Sequence, residues 1–153
     1  ALLYSCGLRV SELINLKWCD IDRSRMVINI IQAKGKKDRQ VMLSPSIIPL
    51  LEGYYREYKS KEYVLNGWKD EPKYSQQSVL QVIKQLAEKA GIKKKVWTHL
   101  IRHCSFTHLL EQGTDLGIIQ KLAGHQNLKT TMIYTHISHN IISKVKSPLD
   151  SII

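Results

Sequence analysis

Residues 98–136 read THLIRHCSFTHLLEQGTDLGIIQKLAGHQNLKTTMIYTH, and this stretch organises the rest of the chain. His99 and Arg102 are three apart, so on a helix they project from one face. Gly113 and Gly124 punctuate the run as helix C-terminal glycines do, dividing it into three successive short helices. His125 follows the second glycine at once, where a loop or helix start exposes it. Tyr134 comes near the end of the third helical run. Cation, imidazole and phenol delivered from separate helix ends suggest one converging site, although spacing alone does not prove it.

Working outward, the lysines Lys93 to Lys95 lead into this stretch. Before them Ser75 is a good N-cap for a helix whose stripe Val79, Val82, Ile83, Leu86 and Ala90 is expected to face the core, with Gly91 ending it. Glu62 to Tyr74 reads as a surface loop with a short strand at Tyr63 to Leu65. Pro45 begins another helix, SPSIIPLLEGYYREYK, whose tyrosines 54, 55 and 58 are packing or rim residues. From Ile21 to Leu43 the pattern turns to strand: Met26 to Ile31 is β-branched and apolar, and Gln40 to Leu43 alternates. Between them QAKGKKDR is a glycine-containing basic connection, most simply the tip of a hairpin. The opening ALLYSCG is apolar and lacks a capping signal, so the chain is expected to begin inside a helix, as a piece of something longer. Gly7 breaks that helix, Leu8 and Arg9 turn, and Val10 to Leu16 forms the next. After Tyr134 one more short helix, Ile141 to Val145, precedes Pro148 and an apolar tail ending in Leu149, Ile152 and Ile153. The class expected is α+β, mainly helical, with a small antiparallel sheet in the N-terminal third, and residues 1–153 forming a single domain.

Composition narrows the function. Lys and Arg number 23 against 13 acids, a formal charge of +10. That balance favours a polyanionic partner, of which nucleic acid is the commonest. The clusters at Lys34, Lys36, Lys37 and Arg39, and at Lys93 to Lys95, favour a phosphate-facing surface. No apolar run approaches a membrane span, and no signal peptide opens the sequence. Cys6, Cys19 and Cys104 lack metal-type pair spacing and read as reduced thiols of a cytoplasmic protein.

Four pieces now in hand, GLRVSEL, AKGKKDR, HLIRHCSFTHLLEQGTDLGIIQKLAGH and TTMIYTH, occur in an order that resembles the tyrosine recombinase (phage integrase) family in its Xer-like bacterial branch. The resemblance covers almost the whole chain. It implies a catalytic domain that performs site-specific DNA cleavage and rejoining. By the same likeness Arg9 is the first catalytic arginine and Glu12 its acidic supporting partner. Lys34 is the hairpin lysine, His99 and Arg102 the H-x-x-R pair, His125 the later histidine and Tyr134 the nucleophile. Lys36, Lys37 and Arg39 are expected to contact DNA. Ile101 replaces the usual leucine, CSF at 104–106 departs from the usual order, and Ala33 stands where glycine is common; each leaves the chemical groups in place. Family members also carry an N-terminal DNA-binding domain, which is expected to be absent from these residues. A homo-tetramer on double-stranded DNA, joined through the C-terminal tail, is implied, in the bacterial cytoplasm at the nucleoid.

The set makes physical sense for phosphoryl transfer without a metal or cofactor. A phenol of pKa about 10 is a weak nucleophile at neutral pH and needs a base or a cationic field. Arg9 and Arg102 can fork onto non-bridging phosphate oxygens. Lys34 on a finger suits the acid that protonates the leaving 5′ oxygen. His99 either accepts the phenolic proton or holds the phosphate, and His125 donates a hydrogen bond to a non-bridging oxygen. The 3′-phosphotyrosyl product conserves bond energy, so rejoining needs no ATP. Two alternatives stand beside this reading. One is a basic DNA-binding module in which Tyr134 is inert. The other is a metal-dependent nuclease, for which the chain has no clustered carboxylates. The i, i+4 pair His99 and His103 is spaced for zinc but has no third ligand in register.

Overall fold

Residues 1–31, 38–67 and 73–135 are described in a computed structural model, which divides into a first unit, Ala1–Ser105, and a second, Phe106–Ile153. Lys34, Lys36 and Lys37, Trp68, and the helix and tail expected after Tyr134 lie outside the described residues.

In the first unit the apolar opening forms a helical turn, α1 (Leu2–Ser5), with Leu2 and Leu3 buried. Gly7 then takes φ +58°, a left-handed conformation that costs a side-chain-bearing residue about 1 kcal/mol or more. The chain re-enters a helix, α2 (Val10–Asn15), which buries Leu13 and Ile14 and stops one residue earlier than its apolar spacing predicts because Leu16 is extended. A 3-10 turn at Trp18–Asp20 leads into a three-stranded antiparallel sheet, β1 (Ile21–Asp22), β2 (Val27–Ile30) and β3 (Arg39–Met42), in that order. In the β2–β3 ladder Val27 pairs with Met42 and Ile30 with Arg39. That register buries Ile28, Ile30 and Val41 on one face, as period-2 alternation requires. The two runs expected to form a hairpin therefore do pair, and the sheet gains a short first strand from Ile21 and Asp22.

Pro45 opens a 3-10 turn that continues as α3 (Ile48–Tyr58). Its tyrosines pack as rim residues: Tyr54 stacks on Tyr58 at 4.5 Å, and Trp18 meets Tyr55 edge-on at 5.3 Å. The strand expected at Tyr63 to Leu65 does not form. Tyr63 makes a single bridge to Lys17, held by Val64 N–H on the Leu16 carbonyl at 2.8 Å. Ser75 caps α4 (Gln76–Lys89), accepting from Ser78 N–H at 2.9 Å. Of the stripe expected to face the core, Val79 and Ile83 are buried while Val82 and Leu86 are 40% and 59% exposed. Helix α4 packs on α2. Hydrophobic periodicity marks a face, and the neighbour decides how much of it is covered.

Helix α5 (Thr98–Glu111) begins in the first unit and ends in the second. In the second unit Asp115 caps α6 (Leu116–Ala123), accepting from Gly117 N–H at 2.8 Å and Ile118 N–H at 3.2 Å. Gly124 closes it at φ +63°, the left-handed C-terminal position that glycine fills without strain. The third expected helix is a short turn, α7 (Leu128–Thr131), tightening into a 3-10 turn at Met132–Tyr134. Phe106, Leu110, Ile119, Ala123 and Tyr134 form the buried cluster of this unit. The fold is thus mainly helical with a small antiparallel sheet in the N-terminal third, as the sequence predicts. Among the described residues no helix is long and apolar enough to cross a membrane.

Candidate active site

In the first unit Arg9 and Arg39 meet on one carboxylate, that of Glu12. Arg9 stands at the N-terminus of α2, and Glu12 reaches back to it in the manner of a capping residue. Glu12 Oε2 accepts the Arg9 backbone N–H at 2.7 Å, and Oε1 accepts from Arg9 Nη1 at 2.8 Å. From β3, Arg39 donates through Nη1 to Oε1 at 2.7 Å and through Nη2 to Oε2 at 2.8 Å. Each carboxylate oxygen thus receives two hydrogen bonds. The Glu12 and Arg39 side chains are 8% and 7% exposed, whereas Arg9 keeps 32%. Expected among the DNA-facing cations, Arg39 instead has its guanidinium directed into the protein against Glu12, because a two-pronged fit to a carboxylate outweighs solvation of a guanidinium at this strand end.

Burial alone would push the Glu12 carboxyl up. The Arg39 fork, the Arg9 backbone N–H, the Arg39 charge and the Arg9 side-chain hydrogen bond overcome it and bring it down to about 2. Relative to an ordinary value of 4.5, the depressed carboxyl contributes stability that is fully present above pH 4.5 and is lost as pH falls toward 2. The linked contribution is roughly 3 kcal/mol. Urea unfolding between pH 5 and pH 2 is expected to show this loss in the wild type and a flatter dependence in Glu12→Gln; equal slopes in the two proteins would refute it.

His99 and Arg102 share the first turns of α5. Arg102 is 1% exposed and donates through Nη1 to the carbonyl of Gly7. The left-handed Gly7 therefore has a second role: it turns a backbone oxygen toward the buried guanidinium. His99 lies edge-on to His103 at 4.8 Å. Desolvation, then the Arg102 and Arg9 cations, hold His99 below its ordinary value, so the neutral ring dominates at pH 7. His103 is lowered by desolvation, His99 and Arg102. Among the described residues no three His, Cys, Asp or Glu side chains gather in a metal-binding group. The lysines Lys93 to Lys95 are exposed.

In the second unit His125 follows the α6 terminal glycine, as the sequence indicates. Its ring is held from one side: Nδ1 lies 3.1 Å from Oγ1 of the fully buried Thr131, and its backbone carbonyl accepts from Gln120 Nε2 at 3.2 Å. Tyr134 is 1% exposed. Its ring lies 5.6 Å from Phe106 and is nearly parallel to His125 at 6.3 Å. Sequence reasoning singled out His125 and Tyr134 but not Thr131, whose contact spans six residues and has no motif of its own. The structure thus brings Arg9 and Glu12 together in the first unit, where His99 and Arg102 also lie, and His125 and Tyr134 together in the second.

Comparison with known proteins shows the family. A model of the phage integrase family matches residues 1–140. A tyrosine recombinase of Pseudothermotoga lettingae is 41% identical over 138 residues, covering 90% of this chain and 48% of that protein. Among solved structures, a XerA recombinase superposes with a TM-score of 0.83 at 31% identity, over 95% of this chain and 55% of the other. The XerH site-specific recombinase bound to palindromic difH substrate in a post-cleavage complex gives 0.81 at 26% identity, over 97% and 44%. This chain spans about half the length of the curated relatives it matches. With the family model covering nearly its whole length and the three-stranded sheet and helices in matching positions, the chain belongs to the phage integrase family and has the fold of a tyrosine recombinase catalytic domain.

Proposed function

We propose that residues 1–153 act as one catalytic domain of a site-specific recombinase, cleaving and rejoining duplex DNA through a 3′-phosphotyrosyl link with no metal or cofactor. The observation that carries this reading is Tyr134 stacked on His125, an imidazole anchored through Nδ1, in a chain of this family. The anchored Nδ1 makes Nε2 the nitrogen that faces a substrate oxygen. Arg9 and Arg102 neutralise the non-bridging oxygens as charge builds on phosphorus. The phenolic oxygen of Tyr134 forms the new bond to phosphorus while the bond to the 5′ oxygen breaks. Neutral His99 takes the phenolic proton, and Lys34 supplies one to the departing 5′ oxygen, which leaves as a hydroxyl. Attack by another 5′ hydroxyl reverses each step. Lys36 and Lys37 hold the DNA backbone beside this reaction. Copies of the chain assemble as a tetramer on DNA through the tail at Leu149 to Ile153, in the bacterial cytoplasm at the nucleoid.

The test is covalent capture in EDTA on a pool of nicked duplexes, whose cleaved fragment diffuses away and strands the intermediate. A denaturation-resistant adduct, digested with protease, is expected to give a nucleotide-bearing peptide containing Tyr134. Measurable DNA binding without any adduct would overturn the catalytic reading in favour of a binding module. Cleavage that requires a divalent ion would overturn it in favour of a nuclease.

A further inference from the structure

We propose that Arg39 is a positioning residue of the phosphate site, gripping Glu12 so that this carboxylate holds Arg9 in its working orientation. The inference rests on the reading above, in which Arg9 binds the scissile phosphate. Glu12 holds Arg9 through two hydrogen bonds, one to its backbone N–H and one to its guanidinium, and must stay ionised and correctly oriented to do so.

Arg39 reinforces that hold: its Nη1 donates to Oε1 at 2.7 Å and its Nη2 to Oε2 at 2.8 Å, fixing the plane of the carboxylate that Arg9 also engages. Exposure is graded through the cluster. Arg39 and Glu12 are 7% and 8% exposed, and Arg9 is the open member at 32%. The inner Arg39–Glu12 pair is thus withdrawn from solvent and little screened. Arg39 arrives from β3 and Glu12 from α2, 27 residues apart, so the grip also fixes the start of α2 against the sheet. Lysine cannot reproduce it, because an ammonium cannot bridge both oxygens in one plane.

The test compares Arg39→Gln, Glu12→Gln and the double variant with wild type, reading the rate of adduct formation, DNA affinity, and the salt dependence of that affinity. Arg39→Gln is expected to slow adduct formation about 10- to 100-fold, the scale of a misplaced reacting group. Its salt slope is expected to match wild type, and adding Arg39→Gln to Glu12→Gln should cost little further rate. An unchanged rate in Arg39→Gln overturns the proposal. So does a salt slope reduced by about one phosphate contact with additive rate losses, since that marks Arg39 as a direct DNA ligand. Arg39→Lys, which keeps the charge but not the fork, stands in if the Gln variant does not fold, with the same slope and a reduced rate expected. A wild type that forms no adduct defeats the proposed function rather than this contact. In that case the clamp is judged by the Glu12 carboxyl titration, which must rise in Arg39→Gln; an unmoved midpoint overturns it.

Discussion

Tyr134→Phe is expected to abolish covalent capture of DNA, by about 10⁴-fold or more, with the fold and DNA affinity kept. The substitution removes one oxygen and leaves the ring. That ring is 1% exposed in the cluster of Phe106, Leu110, Ile119 and Ala123, so its packing survives and stability should change by only about 1 kcal/mol. A smaller side chain would confound the result by opening a cavity costing about 3–5 kcal/mol. The phenylalanine variant therefore separates chemistry from folding. Thermal unfolding and a DNA titration run beside the adduct gel complete the measurement. An adduct persisting in Tyr134→Phe would assign the nucleophile to another residue and leave Tyr134 as a packing aromatic.

The parts of this chain legible in its sequence are those fixed by local rules. Gly7, Gly113 and Gly124 mark breaks because their backbones need positive φ, and Ser75 marks a helix start because its hydroxyl satisfies an orphan amide. The β-branched, apolar run Met26 to Ile31 and the alternation in Gln40 to Leu43 predict paired strands, and they pair. What escaped the sequence is long-range. Nothing local says that Arg39 meets Glu12 across 27 residues, or that Arg102 meets the Gly7 carbonyl across 95. A run of Lys and Arg looks like a solvated, phosphate-facing cluster until a partner carboxylate is placed opposite one member. Val82 and Leu86 show the same limit for apolar residues: the stripe is visible, but how much of it is covered depends on neighbours such as α2. Tyr134 illustrates a third case. Its identity pointed to chemistry, while its near-complete burial depends on Phe106 and α6, which no spacing reveals.

Arg102 should be the most demanding of the cations, and a pair of substitutions separates its charge from its shape. Arg102→Lys keeps the charge but loses the planar fork that reaches the Gly7 carbonyl through Nη1. It is expected to reduce adduct formation about 10²- to 10³-fold, the cost of one preorganised donor to a charge-bearing oxygen. Stability should fall by about 1–3 kcal/mol, because the buried carbonyl is left poorly satisfied. Arg102→Gln removes the charge as well. Desolvation, the larger cause of the lowered His99 value, and the Arg9 cation would remain, but the share due to Arg102 would vanish. His99 must then rise toward its ordinary value of 6.5. If neutral His99 is the base, the low-pH limb of the cleavage rate moves upward in Arg102→Gln and stays in place in Arg102→Lys. Single-turnover rates from pH 5 to pH 8 distinguish the two variants. A wild-type rate in Arg102→Lys would show that charge alone suffices and the fork is idle. A stationary limb in Arg102→Gln, with His99 titration shifted by NMR, would remove His99 from the proton transfer and leave it holding the phosphate.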